Sequence, residues 1–360
     1  MFIYLSTKRF PSTTADHIYT RFLARALARE LGDTFRLIIS GPASEELAGI
    51  PAISVRAPQR LRSAFYFLWL PLFALRQEPG SVFFSNDLYL LSILAFWRRL
   101  PFFTYRICSD WHLLSQTWRD RYVAARSDFL ITTSRRLKEN LVRAASIDPS
   151  AVTVIYGGID LEPYQNTLGM TRASLGLPEQ GMLAGYVGFF KTLGKDKGLK
   201  TMIESLHHLP AGLSMVFIGG TPQELDEYRA IAEQEGVGSR CIWFGRQPFD
   251  KVAAYEKALD VLVLPYPDEP HFRDYGFPMK AYEYLASGTP IAYSRLAIIA
   301  EIFDSRATPF VPGSAASLAE AVKASMAPSA KIRAAENASA ASQYSWNQKA
   351  RTIISVVSDA

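Results

Sequence analysis

Short apolar runs alternate with longer amphipathic stretches along the whole 360-residue chain, and that alternation confines the fold to parallel sheets built from βαβ units. Residues 2–6, 35–39, 82–85, 102–107, 129–132 and 152–155 read as strands of a first sheet. Residues 183–187, 214–218, 241–244, 261–264, 291–293 and 308–311 repeat the scheme. Between the strands, residues 16–31 carry helical apolar spacing, and residues 134–145 start at a Ser134 cap and stop before Pro149. Gly157, Gly158 and Pro163 break the pattern after a strand, so 156–164 is the expected domain joint. The reading is two doubly wound, Rossmann-like α/β domains, 1–165 and 166–342, with an amphipathic tail over about 343–360 as a last helix. Such domains take ligands at the carboxyl ends of their strands, here expected to face a central cleft.

Composition narrows the class further. Hydrophobic residues make up 49% and charged residues 20%, which excludes a disordered chain. Met1 to Lys8 form too short an apolar run for a signal peptide, and residues 64–75 fall well short of the ~20 needed to cross a bilayer. Cys108 and Cys241 make no metal or redox motif, so the expected location is cytoplasmic. Charge is uneven: residues 1–165 hold 20 Lys and Arg against 14 Asp and Glu, the remainder 19 against 20. The basic half faces an anionic partner such as a membrane surface, or is a solvated basic face. Scattered basic residues without a recognisable module speak against nucleic acid. Phe65, Tyr66, Phe67, Leu68, Trp69, Leu70, Leu72 and Phe73 lie between Arg60, Arg62 and Arg76. That pattern suits a peripheral helix on the inner face of a membrane, and equally a helix buried on the sheet.

Residues 276–294 concentrate the chemistry. Gly276 and Pro278 permit a tight turn into a helix with Lys280 and Glu283 in its first turns, Gly288 closes it, and Pro290 opens the next strand. A loop entering a helix offers unpaired N–H groups and positive dipole to a phosphate. A cation and a carboxylate one turn apart suit a ligand with an anionic part and a hydroxyl-rich part, which describes a nucleotide sugar.

Four segments, in order, resemble the retaining, nucleotide-sugar-dependent glycosyltransferases of family four, which have the GT-B fold. Residues 278–290, Pro-Met-Lys-Ala-Tyr-Glu-Tyr-Leu-Ala-Ser-Gly-Thr-Pro, are similar to the donor signature of the subgroup with Pro-x-Lys-x-x-Glu-Tyr. Tyr186, Val187 and Gly188, followed by Lys197 and Gly198, resemble the strand–loop–helix that holds the donor pyrophosphate. Residues 155–160 resemble the interdomain turn, and Tyr344, Ser345 and Trp346 the start of the last helix, which crosses back to the first domain. The resemblance implies transfer of a sugar from a nucleoside diphosphate sugar to a hydroxyl of a glycan or lipid-linked acceptor, with retention, in polysaccharide or glycolipid synthesis. It implies no metal and no resident cofactor, the nucleotide sugar being the donor substrate. Amides and lysines would carry the charge of the departing diphosphate.

The resemblance assigns candidate roles residue by residue. Glu283 would bind the ribose hydroxyls, although a glutamate early in a helix also answers the dipole. Lys280 conflicts with that dipole unless an anion lies near or its chain bends away. Gly188 and Lys197 belong to the pyrophosphate loop, with Lys197 as the neutraliser. The family's arginine after that glycine is Phe189 here, leaving Lys191 or Lys195 as substitutes or as plain loop lysines. The glutamate usual eight residues before Glu283 is Tyr275, with Asp274 beside it and the amides of Gly276 and Phe277 following, before Pro278. Arg246 sits in the loop expected to cradle the base, or is a surface residue. On the acceptor side stand Thr13, Asp16 and His17, with a Thr14 cap and Asp16 as dipole complement as the local alternative. Asp110 and His112 follow the strand expected at 102–107, near the transferred sugar, or His112 merely packs beside Trp111. Phe189 and Tyr275 also keep open a non-catalytic nucleotide-sugar-binding scaffold. A sugar-nucleotide epimerase is the third alternative, with no evident acid–base set.

Overall fold

The computed structural model describes residues 1–12, 15–42, 44–167, 170–192, 194–276 and 278–358. Thr13, Thr14 and Phe277, singled out above, lie outside the described residues. The chain divides into two compact units, Met1–Gly158 with Tyr344–Ala360, and Ile159–Gln343.

The first unit is built on β1 (Phe2–Leu5), β2 (Phe35–Ser40), β3 (Ala52–Val55), β4 (Val82–Ser85), β5 (Arg106–Trp111), β6 (Phe129–Thr132) and β7 (Val152–Val154). They form one sheet in the order β3-β2-β1-β4-β5-β6-β7, every neighbour parallel. Every residue of β1, β4 and β6 is buried, as expected of strands covered by helices on both faces. The crossovers carry α1 (Ala15–Leu31), α2 (Arg62–Ala74), α3 (Leu88–Trp97), α4 (Trp118–Ala124) and α5 (Arg135–Ala145). Ser134 caps α5 by accepting the Leu137 amide at 3.0 Å, and Asp87 caps α3 the same way at Tyr89.

Two strand expectations need correction. The strand read at 102–107 lies further on, as β5, because its register is fixed by Val82 opposite Arg106 and Cys108 opposite Phe129. Phe102 is left exposed in the turn, and Asp110, read as a loop residue, lies inside the strand. Strand β3 was not expected: it is four residues long at a sheet edge, with Ile53 and Ser54 exposed, too short and polar to stand out.

The second unit starts with α6 (Glu162–Gln165) and holds β8 (Met182–Val187), the antiparallel hairpin β9 (Lys191–Thr192) and β10 (Lys195–Asp196), then β11 (Leu213–Gly220), β12 (Cys241–Gly245), β13 (Val261–Leu264), β14 (Ile291–Ser294) and β15 (Thr308–Phe310). Its parallel sheet runs β12-β11-β8-β13-β14-β15. Helices α7 (Leu199–Ser205), α8 (Pro222–Gln234), α9 (Phe249–Ala258), α10 (Met279–Ser287), α11 (Ala297–Phe303), α12 (Ala315–Ser325) and α13 (Pro328–Ala340) cover it. The final helix, α14 (Trp346–Ser358), packs on α1 of the first unit, where Trp346 stacks on Phe22 and Arg351 pairs with Glu30 at 2.8 Å. Among the described residues, no helix is long and apolar enough to cross a membrane.

Candidate functional site

Three strand ends of the second unit meet backbone to backbone. Gly188, with φ +151°, follows β8 and donates its N–H to the Ile218 carbonyl at 2.8 Å. A methyl on Gly219, at the end of β11, would sit 2.3 Å from the Gly188 carbonyl oxygen, and one on Gly198 only 1.8 Å from that of Pro265, just after β13. Glycine is required there because both residues also have positive φ, +119° and +94°. Asp196 fixes the end of the intervening hairpin by accepting the amides of Gly198 and Leu199 and the Tyr228 hydroxyl.

Charged side chains converge on this glycine cradle. The Cε of Lys280 lies 3.1 Å from where a Cβ of Gly188 would be. The Lys280 ammonium donates to Glu283 Oε2 and, at 3.2 Å, to Glu256 Oε1. Glu256, on α9, is wholly buried, and its Oε2 accepts the Tyr164 hydroxyl at 2.6 Å. Burial opposes the charge of Lys280, but the two carboxylates outweigh it and hold the ammonium above lysine's usual range. Burial, with Glu283 nearby, pushes the Glu256 carboxyl up despite Lys280. The conflict between Lys280 and the dipole of α10 is thus met by two protein carboxylates. Glu283 Oε1 accepts no hydrogen bond among the described residues, so this carboxylate keeps one oxygen open.

Lys197 is the contrasting cation. Among the described residues its ammonium makes no ion pair or hydrogen bond, and it lies 5.8 Å from the centre of the Tyr266 ring. Burial, then Lys280, bring it down to about 8, against the pull of Glu283 and Glu224. A desolvated, unpaired ammonium beside a glycine cradle is suited to an incoming anion.

Other donor-side candidates are placed differently. Lys191 pairs with Glu227 at 2.6 Å, and Lys195 with Glu269. Arg246 is exposed, with its guanidinium 4.6 Å from the centre of the Phe189 ring, so this arginine reaches the side chain that stands in the family's arginine position. Tyr275 ends a π-helical turn, His271–Tyr275, in which Asp274 is held by Arg273 at 3.1 Å. Gly276 and Pro278 lead from that turn into α10. Sequence reasoning missed Glu256 and Tyr164; neither belongs to a motif, and only the fold brings them to Lys280.

In the first unit, Asp110 is buried and accepts from the Tyr19 hydroxyl at 2.6 Å, with His112 Nε2 at 3.0 Å. Burial works against its charge, but His112, Lys349 and Tyr19 together hold the carboxyl below its usual range. Lys349 of α14 donates to the Ile155 carbonyl at 2.9 Å, and burial brings its ammonium down to about 8. Asp110 and His112 therefore sit in a network that also anchors the last helix. Asp16 is exposed and pairs with Lys8 at 3.4 Å and His17 at 3.3 Å, while the His17 ring meets Phe10 edge to face.

Two doubly wound parallel-sheet units, with the last helix returning to the first, define the GT-B architecture. Residues 17–163 match the family model described as Glycosyltransferase Family 4, and residues 171–343 the model described as Glycosyl transferases group 1. The chain is accordingly a GT-B protein of the group 1, family-four-like glycosyltransferases. A D-inositol 3-phosphate glycosyltransferase of Xylanimonas cellulosilytica is 30% identical over 182 residues, 48% of this chain and 42% of that protein. A 2-deoxystreptamine glucosyltransferase of Streptomyces kanamyceticus is 26% identical over 57% of this chain and 52% of its own length. The chain thus spans about half the length or less of these relatives. In structure, Anabaena HepE in complex with UDP superposes with a TM-score of 0.79 at 16% identity, covering 100% of both chains. The same protein in complex with UDP-glucose gives 0.74 at 15% identity, covering 100% and 99%.

Proposed function

We propose that the protein transfers a sugar from a nucleoside diphosphate sugar to an acceptor hydroxyl with retention. The observation that carries this reading is the pairing, beside one glycine cradle, of an unpaired desolvated ammonium with a carboxylate that keeps an oxygen open. Lys197 and the backbone amides near Gly188 take the pyrophosphate; Glu283 accepts from the ribose diol. The bond from the anomeric carbon to the diphosphate breaks, a bond from the acceptor oxygen to that carbon forms, and the acceptor proton passes to the leaving phosphate. No resident metal or cofactor takes part, because ammonium and amides carry the developing charge. Asp110 and His112 serve the acceptor hydroxyl in the first unit, with Asp16 and His17 at its margin. The Anabaena protein's complexes with UDP and UDP-glucose support a uridine nucleotide as the first donor to try.

The acceptor reading, a lipid-linked or glycan hydroxyl reached at an anionic membrane surface inside the cell, is supported by α2. Leu68 and Leu72 on it are 60% and 59% exposed, as is Leu61 just before it at 64%, so this helix is not buried against the sheet on all sides. The donor reading is tested by thermal shift with UDP-, GDP-, ADP- and dTDP-sugars. One of them is expected to raise the melting temperature, and Glu283→Ala and Lys197→Ala to reduce that rise. Unchanged shifts in both variants would overturn the donor site. Nucleotide binding without sugar transfer or hydrolysis would favour the scaffold.

A further inference from the structure

We infer that Glu256 is a positioning residue for Glu283: by sharing the Lys280 ammonium it leaves Glu283 with a carboxylate oxygen able to accept from a hydroxyl pair. The inference rests on the donor reading above. One ammonium stands between two carboxylates, Glu283 on α10 and Glu256 on α9, and the second is wholly buried. Glu256 is fixed from two further directions. Its Oε2 accepts from Tyr164 at 2.6 Å, and its backbone carbonyl accepts from the Thr289 hydroxyl at 2.8 Å, tying α9 to the residue beyond the end of α10. A buried carboxylate on a helix needs such partners to keep its charge.

The arrangement matters because a carboxylate serves a diol only while its lone pairs are free. Without Glu256 the ammonium has a single anionic partner, and it closes onto Glu283 as a tight ion pair. Because Glu256 takes one of the ammonium's donors, Lys280 meets Glu283 through Oε2 alone, and Oε1 stays available as an acceptor. Tyr164 completes the set: losing its hydroxyl removes a hydrogen bond that favours the charged form of Glu256, and so weakens the hold of Glu256 on Lys280.

Calorimetric titration with three probes tests this: UDP, 2′,3′-dideoxy-UDP and inorganic pyrophosphate. The wild-type ratio of UDP to dideoxy-UDP affinity reads the diol contact, and pyrophosphate reads the cationic grip. Glu256→Gln, which keeps the side-chain shape, is expected to lower that ratio about tenfold, the worth of one charge-assisted hydrogen bond, with pyrophosphate affinity unchanged. Tyr164→Phe keeps Glu256 itself and is expected to lower the ratio about threefold, which preserves the test should Glu256→Gln fail to fold. A ratio unchanged in these variants but abolished by Glu283→Ala would overturn the inference and spare the donor reading. A parallel loss for all three probes would assign Glu256 a merely structural role and overturn it too. No diol preference in the wild type, with Glu283→Ala silent, would bring down the donor reading itself.

Discussion

Burial and the neighbouring Lys280 bring the Lys197 ammonium down to about 8, so the pH decides whether a diphosphate meets a cation or must recruit a proton. Below that value the proton is already in place. Above it, each pH unit costs about tenfold in affinity until the pKa of the complex is reached. UDP affinity is therefore expected to change little from pH 7 to 7.5 and to fall about fivefold between pH 8 and 9 in calorimetric titration. Proton uptake should show as a dependence of the heat on buffer ionisation. Lys197→Arg keeps the charge at every accessible pH and is expected to flatten the profile. Lys197→Met should cost about 10–100-fold at pH 7 and flatten it too. A wild-type slope surviving in Lys197→Met would place the titration elsewhere. This lysine was legible in the sequence through the resemblance of Lys197 and Gly198 to the family's pyrophosphate loop. Glu256 was not: it reads as one more helix carboxylate, and nothing local tells that α9 turns it inward.

Among the elements, the crossing of the loops after β8, β11 and β13 depends on residues with no side chain. Gly219 combines a φ of +119° with a Cβ position 2.3 Å from the Gly188 oxygen, whereas Gly212 has open space around its Cβ position. Gly219→Ala is expected to destabilise the second unit by about 2–4 kcal/mol, and Gly212→Ala to change it by less than about 1 kcal/mol, in urea unfolding followed by fluorescence. Equal effects would mean that the backbone crossing is dispensable. The strands around these loops were readable because apolar runs such as 261–264 are buried on both faces. Strand β5 was misplaced for the opposite reason. Its Ser109 and Asp110 are buried polar residues partnered by Trp111, Tyr19 and His112, so the strand continues where hydropathy alone stops it. Tertiary partners of that kind, like the register that shifts β5, leave no periodic trace.

For the molecule as a whole, charge and apolar exposure coincide in residues 1–165. That part holds 20 basic against 14 acidic residues, and its exposed large apolar side chains continue from Leu68 and Leu72 on α2 and Leu75 at its end to Phe96 on α3 and Leu100 and Phe102 after it. The face is continuous: the Phe67 ring lies 5.4 Å from those of both Phe96 and Trp97, and Trp97 donates its indole N–H to the Phe67 carbonyl at 3.0 Å. Exposed Arg60, Arg76 and Arg99 supply the positive charge that an anionic lipid surface requires and that a purely apolar protein partner does not. Sedimentation with vesicles is expected to show binding to anionic phosphatidylglycerol, none to neutral phosphatidylcholine, and release at high salt. Each basic residue near such a surface contributes about 1 kcal/mol, so reversing Arg60, Arg76 and Arg99 to Glu should weaken binding by at least about 100-fold. Leu68→Ser with Leu72→Ser should weaken it at all salt concentrations, because the apolar contribution is not screened. UDP affinity should be unchanged in both sets, since neither touches the glycine cradle. Binding indifferent to lipid charge would remove the electrostatic argument. A dimer that the leucine variants dissolve, with vesicles ignored, would assign the same face to a second copy of the chain.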